Sequence, residues 1–521
     1  MGIVWSILLR AGQTLIEASS TIVVGLIVAA VFERVIGPEG TRRLFAGAGL
    51  KGLFRAWVIG TLLPVCSLGV IPVICQMRRA GVPPANILAF VLAAPQLNPL
   101  SFLYGITLSE PVVIISFVVA TMVIAIVGGE IWKRLFSTQT FEKSPVPSAE
   151  LLPTPGIRRL LSLLVSAGRT LIGPAGLYML LGIGCTGLLS GLIPFGALST
   201  TMRHEDWHSP LLMLLIGFPV YSGVLPGMMR LGLMFDHGNS VGAGFVLFEL
   251  GVGFNLGLWF WLMHTFGYKR ILIWIAVVIS ITLCMAYLSE NTLYFAKEQI
   301  DHTHAFDDWS SPFPSYADVQ LTIVWKKLLQ KIEILEPVAL AVLVMLAGLG
   351  ALLALLDRHH RVEAFLLAAP PPRTSPPSIW NREVPGPVLG VCILLGLIAL
   401  SVVALFIYYP APQDVFEEMT RVRADTWVAV RSQRGEEAVR LIERWDLLTR
   451  KLQVGDFLRT GRVDDEAVQK IVTLRESLEQ LRDVLLDHEL EKGKNLLDEI
   501  EKAYRQCRDH YRQREAVGSQ S

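Results

Sequence analysis

From the N-terminus to about Pro412 the chain alternates long apolar runs with short polar turns; beyond Pro412, charged positions interleave with apolar ones at helical spacing. A helix needs roughly 20 apolar residues to cross the hydrocarbon of a bilayer. Runs of that size lie near residues 13–36, 53–77, 85–108, 111–133, 170–196, 209–235, 241–266, 270–289, 333–356 and 387–409, which predicts about ten transmembrane helices. In the tail, Val415, Met419, Trp427, Leu441, Trp445, Leu448, Leu452, Ile471, Leu474, Leu478, Leu481 and Leu485 recur mostly at three- and four-residue intervals. With breakers at Gly435, Gly455, Gly461 and Gly493, this predicts three or four amphipathic helices in a soluble helical bundle. Runs so interrupted do not sustain a coiled-coil seam.

One phrase is written twice, each time inside an apolar run: PVCSLGVIP from Pro64 to Pro72 and PVYSGVLP from Pro219 to Pro226. Upstream, AGQTLI from Ala11 answers AGRTLI from Ala167, and downstream Asn98 is echoed by Asn255. The expected fold is therefore an all-α polytopic membrane protein built from two homologous repeats. The expected division is repeat one over 1–136, a linker over 137–156, repeat two over 157–290 and a polar loop over 291–332. Two additional spans with a Pro-rich connector follow over 333–410, then the soluble helical bundle over 411–521. Basic residues flank both the linker (Lys133, Arg134, Lys143, Arg158, Arg159) and the loop after the first span (Arg34, Arg42, Arg43, Lys51, Arg55), so the positive-inside rule leaves sidedness open. Duplicated apolar halves with Pro and Gly breaks in matching places point to a secondary transporter whose site lies between the repeats.

Composition agrees: 52% of residues are hydrophobic and 17% charged, against about a quarter charged in soluble domains. A formal net charge of +1 and interspersed signs in the tail give no support for a nucleic-acid partner. The expected partners are the lipid bilayer, a small solute and a protein bound by the C-terminal bundle. The six cysteines form no C-x-x-C pair or dense framework. The first apolar run carries Glu17 and Glu33 without a small-residue cleavage site, and reads as a retained first span. Neither a phosphate loop nor a Gly-rich nucleotide motif is present, so no cofactor is expected. No nucleophile and base share a motif, so an enzyme is not expected either.

Helix breaks at membrane depth are tolerated where they line a cavity or are buried in protein. Pro64, Gly69 and Pro72 interrupt the second run, Pro95 and Pro99 flank Gln96 and Asn98, and Pro219, Gly223, Pro226 and Gly227 interrupt the sixth. The expected substrate-binding set is Cys66, Ser67, Gly69, Pro72, Gln96, Asn98, Tyr221, Ser222, Glu249 and Asn255. Glu249 enters as an ionisable residue inside a span. Glu17 is expected at the interface, Arg78 and Arg79 as a turn anchor, and Arg230 against a cavity. His302, His304 and Asp307 are weak metal candidates, since H-x-H with a carboxylate supplies three donors but also arises by chance in polar loops.

The run PVCSLGVIPV, then Arg78-Arg79-Ala80-Gly81, then AFVLAAPQLNP from Ala89 to Pro99 resembles the two-repeat predicted permeases that include the methylarsenite efflux permeases. There the phrases read like PLCSCGVIPLA, Arg-Arg-x-Gly and AFLLAAPALNP; here Leu68 stands at the second cysteine and Tyr221 in the second repeat. The likeness is ordered over roughly the first 135 residues and holds in outline over about 160–270. It implies a permease of the inner cell membrane, an exporter of a small solute, with a metalloid or metal species suited to Cys66; the duplicated, broken spans add the expectation of alternating access between the repeats. The alternative reading is a membrane-embedded assembly or sensor protein whose bundle and His-containing loop bind a partner.

Overall fold

The computed structural model describes residues 2–45, 47, 49–97, 102, 111–136, 157–236, 238–294, 305–314, 319–330, 336–357, 359–368, 385–486 and 490–518. Among these the chain is helical, with one isolated β-bridge between Arg203 and Asn239. The helices are α1 (Gly2–Leu44), α2 (Leu50–Leu62), α3 (Val70–Arg79), α4 (Pro84–Val91), α5 (Pro111–Phe136), α6 (Ile157–Ile172), α7 (Pro174–Leu192) and α8 (Ser209–Gly217). They continue as α9 (Val224–Asp236), α10 (Val241–Val252), α11 (Leu256–Phe266), α12 (Tyr268–Thr292), α13 (Leu321–Gln330), α14 (Glu336–Leu356), α15 (Arg361–Leu367) and α16 (Gly386–Tyr408). The division between two compact units falls within α16, after Leu400, and the second unit holds α17 (Pro412–Arg431), α18 (Gly435–Thr460), α19 (Asp465–Leu486) and α20 (Leu490–Gly518).

Five helices, α1, α5, α7, α12 and α14, are long and apolar enough to cross a membrane, or six spans if α10 and α11, bent by 60°, count as one. The count among the described residues is thus below the expected ten, and the reason is local. The expected spans at 53–77, 209–235 and 241–266 are each cut in two at Pro or Gly residues, the helical start of 85–108 ends at Val91, and within 387–409 the described apolar stretch Pro387–Val403 falls short of spanning length. The whole is a multi-pass membrane protein.

In the first unit α1 packs against α3, α6, α7 and α14. Small residues let these helices approach closely, as lipid-embedded helices require in place of a hydrophobic drive. A Cβ on Gly187 or Gly191 of α7 would come within 3 Å of the Ile7 or Ala11 backbone of α1, and a Cβ on Gly350 of α14 would lie 2.2 Å from the Gly168 carbonyl oxygen of α6. Two helices contain a π-turn, Phe32–Ile36 in α1 and Leu247–Val252 in α10. Each π-turn carries an acidic residue, Glu33 and Glu249 respectively. Such turns cluster at functional places in helices.

Glu33 opens a charged network that ties α1 to α14 and α15. It accepts from Gln76 Nε2 of α3 (3.0 Å) and from Ser166 of α6, and pairs with Arg34 (3.1 Å). Arg169 of α6 pairs with Glu363 (3.1 Å) and Asp357 (2.9 Å). Asp357 also accepts the first amides of α15, from Arg361 (2.7 Å) and Val362 (3.0 Å), as an N-terminal cap does.

The second unit, taken alone, buries one apolar core that includes Phe416, Met419, Trp445, Leu474, Leu478 and Tyr504. Gly461 ends α18 in the left-handed region at φ 66°, a turn that favours glycine. Gly455 and Gly493, expected to break helices, lie inside α18 and α20 instead. At Gly455 the reason is space, because a Cβ there would lie 2.3 Å from the Pro410 carbonyl oxygen.

Candidate functional site

Both copies of the repeated phrase fall on helix breaks. In the first, α2 ends at Leu62, the chain turns extended at Leu63, and α3 begins at Val70. Pro72 is not itself part of this break: it sits in the first turn of α3, where a missing N–H costs nothing. In the second, α8 ends at Gly217 and α9 begins at Val224, with Pro226 again in the first turn. A third break separates α10 from α11, and Asn255 starts α11 by accepting the Leu258 amide through Oδ1 (3.0 Å). Asn255 therefore serves as a helix cap as well as a candidate ligand.

The freed backbone groups of the breaks are satisfied by side chains. Cys66 Sγ accepts from the Gly69 N–H (3.3 Å) and the Cys66 carbonyl accepts from Val70 (2.8 Å), so this cysteine closes the first break on itself. In the second break, Thr186 Oγ1 of α7 accepts from the Tyr221 N–H (2.9 Å) and Glu17 Oε1 of α1 accepts from the Gly223 N–H (2.9 Å). Glu17, expected at the membrane interface, thus reaches the second break. Its signal was present in the sequence, since an acidic residue inside a span defaults to function. Thr186 had no comparable signal, because a threonine in an apolar helix commonly bonds its own preceding turn, as Thr186 also does to Gly182 (2.9 Å).

The breaks converge. Tyr221 of the second extends its phenol to Cys66 of the first and to Thr21 of α1. Gly182 of α7 touches both Leu68 of the first break and Asn255 of the third, because a Cβ there would lie within 2.7 Å of each side chain. Gln96, in the turn after α4, donates Nε2 to the Glu249 carbonyl oxygen (2.8 Å) inside the α10 π-turn. Arg230 of α9 donates to Ser222 Oγ (2.6 Å).

Ser67, Gln96, Ser222 and Glu249 have no exposed surface, and Asn255 has 1%. Within this set Ser67 Oγ, Gln96 Oε1, Tyr221 OH, both Glu249 carboxylate oxygens and Asn255 Nδ2 are buried without a well-formed hydrogen bond. A buried polar group so placed costs about 1–3 kcal/mol, and more if charged. Asn98 lies outside the described residues, as do His302 and His304. Asp307 lies on a short 3-10 turn and gives its carbonyl to Arg10. Among the described residues no three His, Cys, Asp or Glu side chains are grouped to hold a metal ion. A shallow apolar concavity lined by Tyr178, Leu181, Phe260 and Tyr268 lies on another face, with large exposed side chains. It has few polar groups, so we place the site at the breaks.

The profile of the predicted permease family, ArsP_1, matches residues 6–291, which contain all three breaks. The UPF0718 protein YcgR of Bacillus subtilis (strain 168) is 30% identical over 86 residues, covering 16% of this chain and 29% of that relative. No solved structure matches. With apolar helices of spanning length and this profile over more than half of its residues, the chain belongs to the predicted permease family.

Proposed function

We propose that this permease is a secondary transporter of the cell membrane that exports a small solute by alternating access, with its two repeats moving against each other about the three breaks. The observation that carries this reading is the set of buried polar atoms without a well-formed hydrogen bond on Ser67, Gln96, Tyr221, Glu249 and Asn255, contributed from both sides of the 137–156 linker. Groups that cost this much to bury are retained where a solute engages them. The proposed ligand set is Cys66, Ser67, Gly69 and Pro72 at and just after the first break, Tyr221 and Ser222 in the second, Gln96, Glu249 and Asn255 beside the third, and Asn98. The thiol of Cys66 favours a soft centre, so a metalloid or metal species is the solute class to test first. Glu249 supplies a carboxyl that a cationic or hydrogen-bonding solute can engage.

The test is flux in proteoliposomes. Cys66→Ala and Glu249→Gln are expected to lower transport of trivalent metalloids at least tenfold while eluting as the parent protein does. Equal flux in parent and variants for every metalloid and metal tried would sink this reading.

A further inference from the structure

The apolar stretches bury two arginines, and of their contacts the site described above includes only that of Arg230 with Ser222. Arg10 of α1 and Arg230 of α9 have side-chain exposures of 8% and 6%, and both reach Asp308, Arg10 at 3.2 Å and Arg230 at 3.5 Å. The two guanidinium groups are near enough to repel each other. Burying a cation costs several kcal/mol unless it is paired and hydrogen-bonded.

The two arginines are satisfied differently. Arg10 is held on several sides: Nε and Nη2 donate to the Ser310 carbonyl (2.9 and 2.7 Å), Nη2 also to the Asp307 carbonyl, and Nη1 to Gln13 Oε1 (2.9 Å). Arg230 is held by the Ser222 hydroxyl, by the face of Trp309 at 5.1 Å and by the long contact to Asp308. At 3.5 Å that last contact is at the limit of a hydrogen bond, short of the bidentate fork that arginine forms with carboxylates and phosphates. Asp308 rides on the 3-10 turn Asp307–Trp309, and its side chain is 39% exposed, so the anionic end of this triad faces outward while both cations are buried. Ser222 is in the second break, one residue before the Gly223 amide that Glu17 accepts.

We propose that Arg10 and Arg230, with Ser222, form a recognition site for an oxyanion group, phosphate-like or carboxylate, on a small solute, and that Asp308 occupies it as a tethered carboxylate that the solute displaces. The proposal rests on the transporter reading for its role, though not for the binding itself. It adds an anionic group to the solute class that the thiol of Cys66 selects.

The test uses the full chain purified in neutral detergent, with thermal unfolding followed as sodium phosphate is titrated against sodium chloride of equal ionic strength. Saturable stabilisation by phosphate is expected in the parent, since a ligand of the folded state raises its midpoint. Asp308→Asn is expected to lower the half-saturating phosphate concentration about tenfold by removing the competing carboxylate. Arg230→Gln is expected to abolish saturation. Phosphate indistinguishable from chloride in both the parent and Asp308→Asn overturns the proposal even if Arg230→Gln does not fold. A response only when phosphatidylglycerol is added to the micelles overturns it too, assigning the cations to a lipid headgroup. Metalloid flux sensitive to Cys66→Ala without phosphate binding would leave the transporter standing and remove the oxyanion site; saturable phosphate binding without any flux would do the reverse.

Discussion

Gly25 of α1 and Gly69 at the end of the first break meet backbone on backbone: a Cβ on Gly25 would lie 2.1 Å from the Gly69 carbonyl oxygen, and a Cβ on Gly69 would lie 2.5 Å from that of Thr21. The first break therefore rests on α1 with no side chain between them. This contact positions Cys66 and Ser67 relative to Glu17, which lies two turns earlier on the same helix.

Gly25→Ala is expected to destabilise the protein by about 2 kcal/mol or more, because the neighbour is backbone and cannot move aside as a side chain would. Gly184→Ala on α7, where an added Cβ meets nothing within 4 Å, is the matched control and is expected to be neutral or slightly stabilising. Thermal unfolding in detergent compares them; equal midpoints for both variants would contradict the close approach.

Glu17→Gln is expected to keep most of the stability, since the amide oxygen still accepts from Gly223. Glu17→Leu leaves that buried N–H unpaired and is expected to cost about 1–3 kcal/mol. Unfolding midpoints of the two variants separate a hydrogen-bonding role from mere space filling. If the two variants unfold alike, Glu17 is not the cap of the second break.

Arg169→Ala removes the cation shared by Asp357 and Glu363. The pairs are partly buried, with side-chain exposures of 18%, 8% and 17%, so screening reduces the loss to about 1–3 kcal/mol. The expected signature is a new protease-sensitive point near Arg361, because α15 loses the partner that holds its capping aspartate. Unchanged digestion would place the strength of this attachment elsewhere.

In the second unit Asp446 bonds Arg450 (3.0 Å) and Arg475 (2.9 Å). Burial opposes its charge, but the two guanidinium groups outweigh that and hold its carboxyl well below the usual carboxylate range. A depressed folded pKa stabilises above the unfolded pKa of about 3.9, and the gain is lost as pH falls below that value. With 32% of the side chain exposed, the gain is discounted for solvent to about 1–2 kcal/mol. Asp446→Asn is expected to lower the unfolding midpoint at pH 7 and to converge on the parent toward pH 2. A constant difference across that window would assign the effect to packing.

Much of this was legible in the chain. The repeated phrase marks breaks because Pro64 and Pro219 cannot donate a helix hydrogen bond and its glycines favour helix only weakly, and the structure breaks at both copies. Glu249 was legible as an anomaly, an acid within an apolar run. The π-turns at Phe32–Ile36 and Leu247–Val252 were not, since one extra residue in a turn barely disturbs hydrophobic periodicity. The partnership of Glu17 with Gly223 joins residues 206 positions apart, and no local spacing encodes it. Asn255 as a helix cap was readable in principle, but its place in an apolar run drew it into the ligand set instead.

The bond from Gly223 to Glu17 also bears on how the molecule changes shape. Any arrangement that carries the second break away from α1 gives up one charge-assisted hydrogen bond, worth about 1.5–3 kcal/mol. That corresponds to a population ratio of roughly ten to a hundred and fifty. A solute present at ten to a hundred times its Kd supplies about 1.4–2.7 kcal/mol to whichever arrangement it prefers. Under the proposed alternating access, this bond's contribution to the equilibrium between arrangements is one that a single bound molecule can reverse.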